Sequence, residues 1–444
     1  MTNEVSRSRE TSYSRENHLK LPMRILIVGL NFYPELTGIG KYTAEMATYL
    51  SHAGHQIRVV TAPPYYPYWR VQPGYKSWQY RYEEWKGVQV YRAPLWVPQE
   101  PSGMKRLLHL LSFAISSVPL LLWQMLWHPD LVLCIAPAFF SAPFAWLTAR
   151  LSGAKSWLHI QDFELDAATN LGMLPSNNLL VKIASWGECW LLARFDRVST
   201  ISDRMLVRLK EKGVSSEHSY LFPNWVDTNL IFPTKDFRDS LRTTLSIPDD
   251  KIVVLYSGNI GFKQGLECIV DVAGQLQANS NIIFVICGDG AAREMLEKSA
   301  DELQNIQFVG LQPPEKLNQL LNTADIHILP QRADAADLVM PSKLLGMLAS
   351  GRAVIATANP DTEIGKVVSE IGMIVPPNNS LAFSNAILAL AESSEKRSRL
   401  GEKGREYICS HWSADQVLAH FQVQLLNLVN KNPLIVGSKG NTIL

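Results

Sequence analysis

The chain has 444 residues, with 42 Lys and Arg against 41 Asp and Glu, for a formal net charge of +1. That length points to at least two domains, and the charge balance excludes a protein drawn as a whole onto nucleic acid. A composition of 47% hydrophobic and 19% charged residues excludes a disordered chain and leaves ample material for two cores.

Residues 1–22 are polar and charged with no apolar h-region, so they read as a disordered leader and not as a signal peptide. Arg24–Gly29 is a short apolar run that predicts a buried parallel strand. Gly38–Gly54 predicts a helix, with Tyr42, Met46, Tyr49 and Leu50 at helical spacing, and Ile57–Thr61 the next strand. Tyr65–Trp85 holds nine Tyr and Trp, too many for one buried loop, and is expected either to meet a lipid interface or to stack on sugars. Leu107–Trp127 carries no Asp, Glu, Lys or Arg and has the length of a membrane span, with Lys105 and Arg106 ahead of it. It also contains His109, Pro119, Gln124 and three serines and lies between strand-like segments, so it is read as a buried or surface-docked helix.

The alternation continues with a strand at Leu131–Ile135, a helix at Phe139–Leu151, a strand at Ser156–Ile160, a helix at Lys182–Phe195 and a strand at Arg197–Ile201. Residues 223–250 are rich in turn formers and read as an interdomain connection. A second series has strands at Ile252–Tyr256, Ile282–Cys287, Ile306–Val309, Ile326–Leu329 and Val354–Ala356, with helices between. The expected fold is α/β, two tandem doubly wound parallel sheets, with ligands at the carboxyl ends of the strands and in the cleft between the domains. Cys134, Cys189, Cys268, Cys287 and Cys409 are scattered and never spaced CxxC, as reduced thiols are.

Five constellations could carry chemistry. Thr37-Gly-Ile-Gly-Lys41 opens the first helix, where Gly38 and Gly40 could let backbone amides approach an anion, although a plain strand-to-helix turn would use the same residues. Ser257-Gly-Asn-Ile-Gly-Phe-Lys-Gln-Gly265 places Asn259, Gly261, Lys263 and Gln264 where a diphosphate could be cradled and neutralised. Cys287-Gly-Asp-Gly-Ala-Ala-Arg293, with Gly288 and Asp289, is a second strand end of this type or a tight turn. Arg332, Asp337, Ser342 and Lys343 surround a further helix start, with Ser342 as its expected N-cap after Pro341. His159-Ile-Gln-Asp-Phe-Glu164 ends a first-domain strand and offers His159 and Asp162 as acid–base groups.

Taken together, the early Gly38/Gly40 loop, Pro223-Asn-Trp-Val-Asp227, Gly258–Gly265, Gly288-Asp-Gly290, Ala324–Pro330, Pro341-Ser-Lys343 and Ala349–Val354 resemble the two-domain glycosyltransferases of retaining family 4, from Arg24 to about Leu425. The wording is most similar to the colanic acid biosynthesis branch, usually associated with fucosyl transfer. The resemblance implies the GT-B arrangement of two facing Rossmann-like domains. It assigns residues 23–222 to the acceptor and 251–410 to a nucleotide-sugar donor, with a helix over 411–430 returning to the first domain and a tail at 431–444. It further implies a diphosphate against Gly261–Lys263 and the amides near Ser342, and a base and ribose near Gly288–Gly290 and Pro330–Arg332. The family often carries two glutamates where this chain has Leu338 and Gly346, and an Arg and a Lys where it has Asn259 and Gln264.

The expected reaction is metal-independent transfer of a hexosyl or deoxyhexosyl group with retention, Lys263 and Lys343 stabilising the charge on the leaving diphosphate and Asp162 or His159 assisting. No cofactor is expected beyond the nucleoside diphosphate sugar. The acceptor would be a lipid-linked glycan, with the protein cytoplasmic or peripheral on the inner face of the cytoplasmic membrane. An epimerase of the same fold class, or a non-catalytic nucleotide-sugar or glycan-binding module, is the alternative.

Overall fold

The computed structural model describes residues 22–35, 38–136, 139–163, 179–234, 241–332 and 341–430. The expected leader up to residue 21, residues 235–240 of the connection, Asp337 and Leu338, and the tail from 431 lie outside the described residues. The chain divides into two compact units, residues up to 198 together with those from 426 onward, and residues 199–425.

In chain order the first series runs β1 (Arg24–Gly29), α1 (Gly38–His52), β2 (Gln56–Thr61), β3 (Arg81–Trp85), β4 (Val88–Arg92), α2 (Gly103–Met125), β5 (Leu131–Ala136), α3 (Ala142–Ser152), β6 (Lys155–Ile160), α4 (Leu179–Leu192), β7 (Arg197–Thr200), α5 (Asp203–Glu211) and β8 (Ser219–Leu221). Among the described residues its sheet has the order β3-β4-β2-β1-β5-β6-β7-β8. The strands β1, β2, β4, β5 and β6 pair in parallel, and β5 is buried throughout, as its unbroken apolar run requires. Right-handed crossovers place α1 on one face of this sheet and α2, α3 and α4 on the other, because β1 to β2 steps one way across the sheet and β4 to β5 to β6 to β7 steps back.

Two expectations change here, and a third, on α2, is met. The aromatic segment 65–85 is not one loop. Its end is β3, which pairs antiparallel with β4 through a two-residue turn whose Lys86 and Gly87 both have positive φ, +48° and +77°. The first sheet is therefore mixed, with an antiparallel edge. The helix expected from Phe139 starts at Ala142, after a short 3-10 turn over Phe139–Ser141. α2 is the one helix among the described residues long and apolar enough to cross a membrane, yet β4 before it and β5 after it are hydrogen-bonded into the same sheet, so it cannot separate its flanking strands across a bilayer.

The second series runs β9 (Ile252–Ser257), α6 (Glu267–Gln275), β10 (Ile282–Cys287), α7 (Arg293–Ser299), β11 (Ile306–Val309), α8 (Leu317–Thr323), β12 (Ile326–Leu329), α9 (Ser342–Ala349), β13 (Ala353–Thr357), α10 (Glu363–Ile371), β14 (Met373–Val375), α11 (Ser380–Ala391), α12 (Ser394–His411) and α13 (Ala414–Val429). Its sheet is parallel with the order β11-β10-β9-β12-β13-β14, so the strand order reverses between β9 and β12. Ligands of such sheets sit at the carboxyl ends of the strands beside that reversal. At the opposite end, Arg242 is 1% exposed and donates to Asp325 at 2.6 Å, while the same carboxylate oxygen accepts the Val253 N–H at 2.8 Å. This buried pair fastens the chain ahead of β9 to the foot of β12. The expected N-cap of α9 is corrected as well: Pro341 occupies the cap with extended backbone, Ser342 is the first helical residue, and among the described residues no side chain caps the helix.

Candidate functional site

Three loops leave the carboxyl ends of β9, β10 and β12 and meet in the second unit. Each carries residues predicted from the sequence. After β9 the chain passes Gly258, Asn259 and Ile260 to Gly261, makes a 3-10 turn over Phe262–Gln264 and leaves it through Gly265 at φ +67°. After β10 it passes Gly288-Asp-Gly290 into α7.

The first two loops are laced together by backbone hydrogen bonds: the Ile260 N–H donates to the Asp289 carbonyl at 2.8 Å and the Ala292 N–H to the Ile260 carbonyl at 3.0 Å. The contact is so close that a Cβ on Gly288 would lie 1.9 Å from the Gly258 carbonyl oxygen, and one on Gly290 would lie 2.3 Å from that of Ile260. Both glycines are therefore demanded by loop-on-loop packing. The Asp289 carboxylate accepts the Gly290 N–H at 2.8 Å and closes its own turn, with the residue itself exposed. Arg293, which stands where a dinucleotide fingerprint would have its last glycine, donates to the Gly288 carbonyl at 2.6 Å and to Glu297 at 2.8 Å. It fastens the start of α7 to the strand end.

Lys343, on the first turn of α9, reaches across to the phosphate-loop candidate. Its Nζ donates to the Tyr256 Oη at 3.0 Å and lies 4.7 Å from the centre of that ring. The Tyr256 hydroxyl in turn donates to the Asn259 carbonyl at 2.7 Å. A Cβ on Gly258 would be 3.5 Å from the Lys343 Cδ and 3.8 Å from its Nζ, so the ammonium sits directly against the glycine that opens the loop. Burial lowers the Lys343 pKa from 10.5 to about 8, and burial also pushes the Tyr256 phenol up, which keeps it a donor. A cation held at a glycine loop and half stripped of water suits an incoming dianion. Tyr256 is the residue that sequence reasoning missed. Its only signal was a polar-tipped aromatic closing an otherwise aliphatic strand.

The remaining predicted donor residues lie around this centre. Gly261 is pinned between Asn259 and Gln264, where a Cβ would be 3.0 Å from the Asn259 Nδ2 and 2.8 Å from the Gln264 Oε1. The Gln264 Oε1 is buried and has no hydrogen-bond partner among the described residues. Gly265 packs on Arg332, whose Cγ would be 2.9 Å from a Cβ there, so the loops after β9 and β12 touch at that point. Arg332 and Ser342 are exposed. Lys263 lies in the 3-10 turn, and its side chain, like Asp337, falls outside the described residues.

In the first unit Gly38 has φ +60°, and a Cβ on Gly40 would meet the Glu35 Cβ at 2.9 Å. Both positions thus require glycine for the turn itself. Glu35, which sequence reasoning also passed over, is 2% exposed. Its Oε1 accepts the N–H groups of Tyr65 at 2.8 Å and Tyr66 at 2.9 Å, and its Oε2 accepts from Asn31 at 2.8 Å. Desolvation raises its pKa against those hydrogen bonds, and the carboxylate clasps the loop after β1 to the start of the aromatic segment. Of the acid–base candidates, Asp162 is exposed just beyond β6, whereas His159 is 2% exposed inside the strand with its Nε2 3.2 Å from the Gln161 Nε2.

Two family models match the chain: "Glycosyl transferase 4-like domain" over residues 37–225 and "Glycosyl transferases group 1" over residues 237–407. The chain is 45% identical over 350 residues to a putative colanic acid biosynthesis glycosyl transferase, WcaI, of Escherichia coli K12, covering 78% of this chain and 86% of that one. It is 27% identical over 285 residues to a probable glycosyltransferase, WbjE, of Pseudomonas aeruginosa, covering 61% and 70%. Among solved structures, sucrose-phosphate synthase of Thermosynechococcus elongatus aligns with a TM-score of 0.72 at 17% identity, over 92% of this chain and 100% of that one. Anabaena HepE in complex with UDP aligns with a TM-score of 0.66 at 14% identity, over 91% and 100%. On this evidence the chain belongs to the group 1 glycosyl transferases with a glycosyl transferase 4-like amino-terminal domain, and it is a glycosyltransferase of the GT-B fold.

Proposed function

We propose that the protein transfers a hexosyl or deoxyhexosyl group, fucose being the first to test, from a nucleoside diphosphate sugar to a hydroxyl of a growing lipid-linked exopolysaccharide repeat unit, with retention and without a metal. The observation that carries this reading is the Lys343 ammonium seated against Gly258 at the carboxyl end of β9. The colanic acid role in the name of the 45% identical relative supports the exopolysaccharide assignment. Residues 23–222 would bind the acceptor and 251–410 the donor, joined through 223–250, with 411–430 returning to the first domain. The reaction would take place on the inner face of the cytoplasmic membrane.

In this reading the anomeric carbon–oxygen bond breaks with its electron pair going to the diphosphate oxygen. Lys343, Lys263, the amides around Gly261 and those opening α9 at Ser342 meet the growing charge. The acceptor hydroxyl oxygen bonds to the anomeric carbon on the face the diphosphate leaves, and its proton passes to the leaving phosphate oxygen. Asp162 orients that hydroxyl, with His159 behind it. The base and ribose lie along Gly288, Asp289 and Arg332, and Asp337 takes sugar or ribose hydroxyls in place of the missing glutamates.

A donor panel read by thermal shift tests the assignment. The true donor at about 100 times its Kd should add roughly 2.7 kcal/mol of stability. Nucleotide release that requires an acceptor separates transfer from epimerisation, which needs none, and from a binding module, which releases nothing. Absence of a shift with every nucleoside diphosphate would remove the donor site from the second unit.

A further inference from the structure

Helix α2 spends its apolar side chains on both faces, burying Phe113, Ala114 and Leu121 while leaving a second apolar stripe outside. Its buried face also includes the polar side chains His109, Ser117 and Gln124, at 1%, 0% and 0% exposure, while Leu108, Leu111, Ile115 and Leu122 face outward at spacings of three, four and seven residues, all on one side of a helix. At about 1.5 Å per residue, the outward stripe from Met104 to Leu126 is roughly 30 Å long. The neighbouring helices continue it. Seven large apolar side chains are exposed on α2, two on α3 and three on α4, with Ile115 at 60% and Trp186 at 69%. These helices share one layer on one face of the first sheet.

Charge says what covers the layer. Among the described side chains the three helices carry Lys105, Arg106 and Arg150 against a single acid, Glu188, which is buried at 5% exposure. At the end of α4 a cleft of about 420 Å³ is lined by Trp146, Arg150, Trp190, Ala193 and Arg194. The Arg194 guanidinium lies 4.1 Å from the centre of the Trp190 ring, and the Trp146 indole donates to the Arg194 carbonyl at 3.1 Å. Indoles beside arginines at the border of an apolar, basic face match the headgroup level of an anionic bilayer, where the apolar stripe enters the acyl region and the cations meet phosphate.

We propose that the α2–α3–α4 layer is a docking face for anionic phospholipid, with the Trp146–Arg150–Trp190–Arg194 cleft receiving a lipid phosphate. The proposal deepens the functional reading above and rests on its placement of the reaction at a membrane. Extruded vesicles of phosphatidylglycerol and phosphatidylethanolamine, against phosphatidylcholine alone, test it by flotation of the full chain. The wild type should float with the anionic vesicles and bind them at least about tenfold more tightly than neutral ones, an effect weakened by salt. Leu108→Glu with Ile115→Glu, both outward-facing, should lose at least about tenfold in partitioning with an unchanged Tm, and Arg150→Glu should lose the anionic preference alone. Equal flotation of wild type and the double variant, or flotation of neither, overturns the proposal. So does a dimer in light scattering that the double variant dissolves, which would assign the face to a second copy. Transfer to a water-soluble acceptor should be the same in wild type and double variant. Its absence from both would count against the proposed function and leave the vesicle result standing.

Discussion

Replacing Lys343 by Met should stabilise the free protein and cripple it together. The substitution keeps the length and apolar stem of the side chain and removes the ammonium that burial holds at a pKa of about 8 instead of 10.5. At about 1.4 kcal/mol per pH unit, that difference corresponds to an upper bound of roughly 3 kcal/mol charged against folding while the lysine is protonated. The Tyr256 hydroxyl and ring are the native compensation, so a gain of about 1–2 kcal/mol is expected. The sign follows from proton binding. Below pH 8 the native and unfolded chains both carry the proton, and the penalty is full. Between pH 8 and 10.5 the unfolded chain holds a proton that the native one has released, so wild-type stability at this site rises with pH and the gain of the variant vanishes. A diphosphate beside the ammonium pulls the pKa back up, so donor binding by the wild type should take up a proton above pH 8 and weaken with rising pH. In the variant that pH dependence should disappear, with the Kd raised about tenfold to a hundredfold by loss of a charge-assisted contact. Urea unfolding from pH 7 to 10.5 and UDP titration at the same pH values measure both halves. A variant with unchanged Kd and unchanged stability at pH 7 would show that Lys343 is a solvated first-turn lysine with no place in the site.

Four further outcomes are expected. Tyr256→Phe should raise the donor Kd a few-fold through a misplaced Lys343, with the pH dependence of binding shifted downward, because the hydroxyl that accepts from the ammonium and ties it to Asn259 is gone; an unchanged pH profile would refute the positioning role. Lys263→Ala should cost roughly 2–4 kcal/mol of transition-state stabilisation, read as kcat/KM, and a rate within about twofold of wild type would misplace the phosphate loop. Gly346→Glu should not raise activity, since a Cβ there lies 3.3 Å from the Leu321 Cδ1 and would aim the carboxylate along an apolar side chain; a large gain in transfer would contradict this. Arg242→Ala should lower stability by about 3–5 kcal/mol in chemical denaturation by leaving Asp325 buried and unpaired, and a loss below about 1 kcal/mol would show the pair to be dispensable.

The repeated strand–helix alternation, the two series and the glycine-bearing strand ends were legible in the sequence, because central parallel strands are buried on both faces and read as apolar runs, as Ile282–Cys287 does, and the bounds of that strand, of Ile306–Val309 and of Ile326–Leu329 match to the residue. The β3–β4 hairpin was not legible. Its strand alternates exposed and half-buried residues at a sheet edge, and its turn uses Lys86-Gly87 in place of a residue pair that advertises itself. Sequence marked the glycines at 288 and 290 but not their reason, since the carbonyls of Gly258 and Ile260 that exclude a side chain there come from a different strand end. It marked Lys343 but not Tyr256, because a pair 87 positions apart meets only when β9 and α9 are laid side by side. It marked the apolar run of α2, while which face turned outward was decided by packing, with His109, Ser117 and Gln124 taken inside beside Phe113 and Leu121, and Leu108, Leu111 and Leu122 left out. Local pattern determines which segments become strands and helices. Contacts between residues far apart in the chain decide which side chains share a site and which surface faces solvent, and one sequence read alone does not contain those distances.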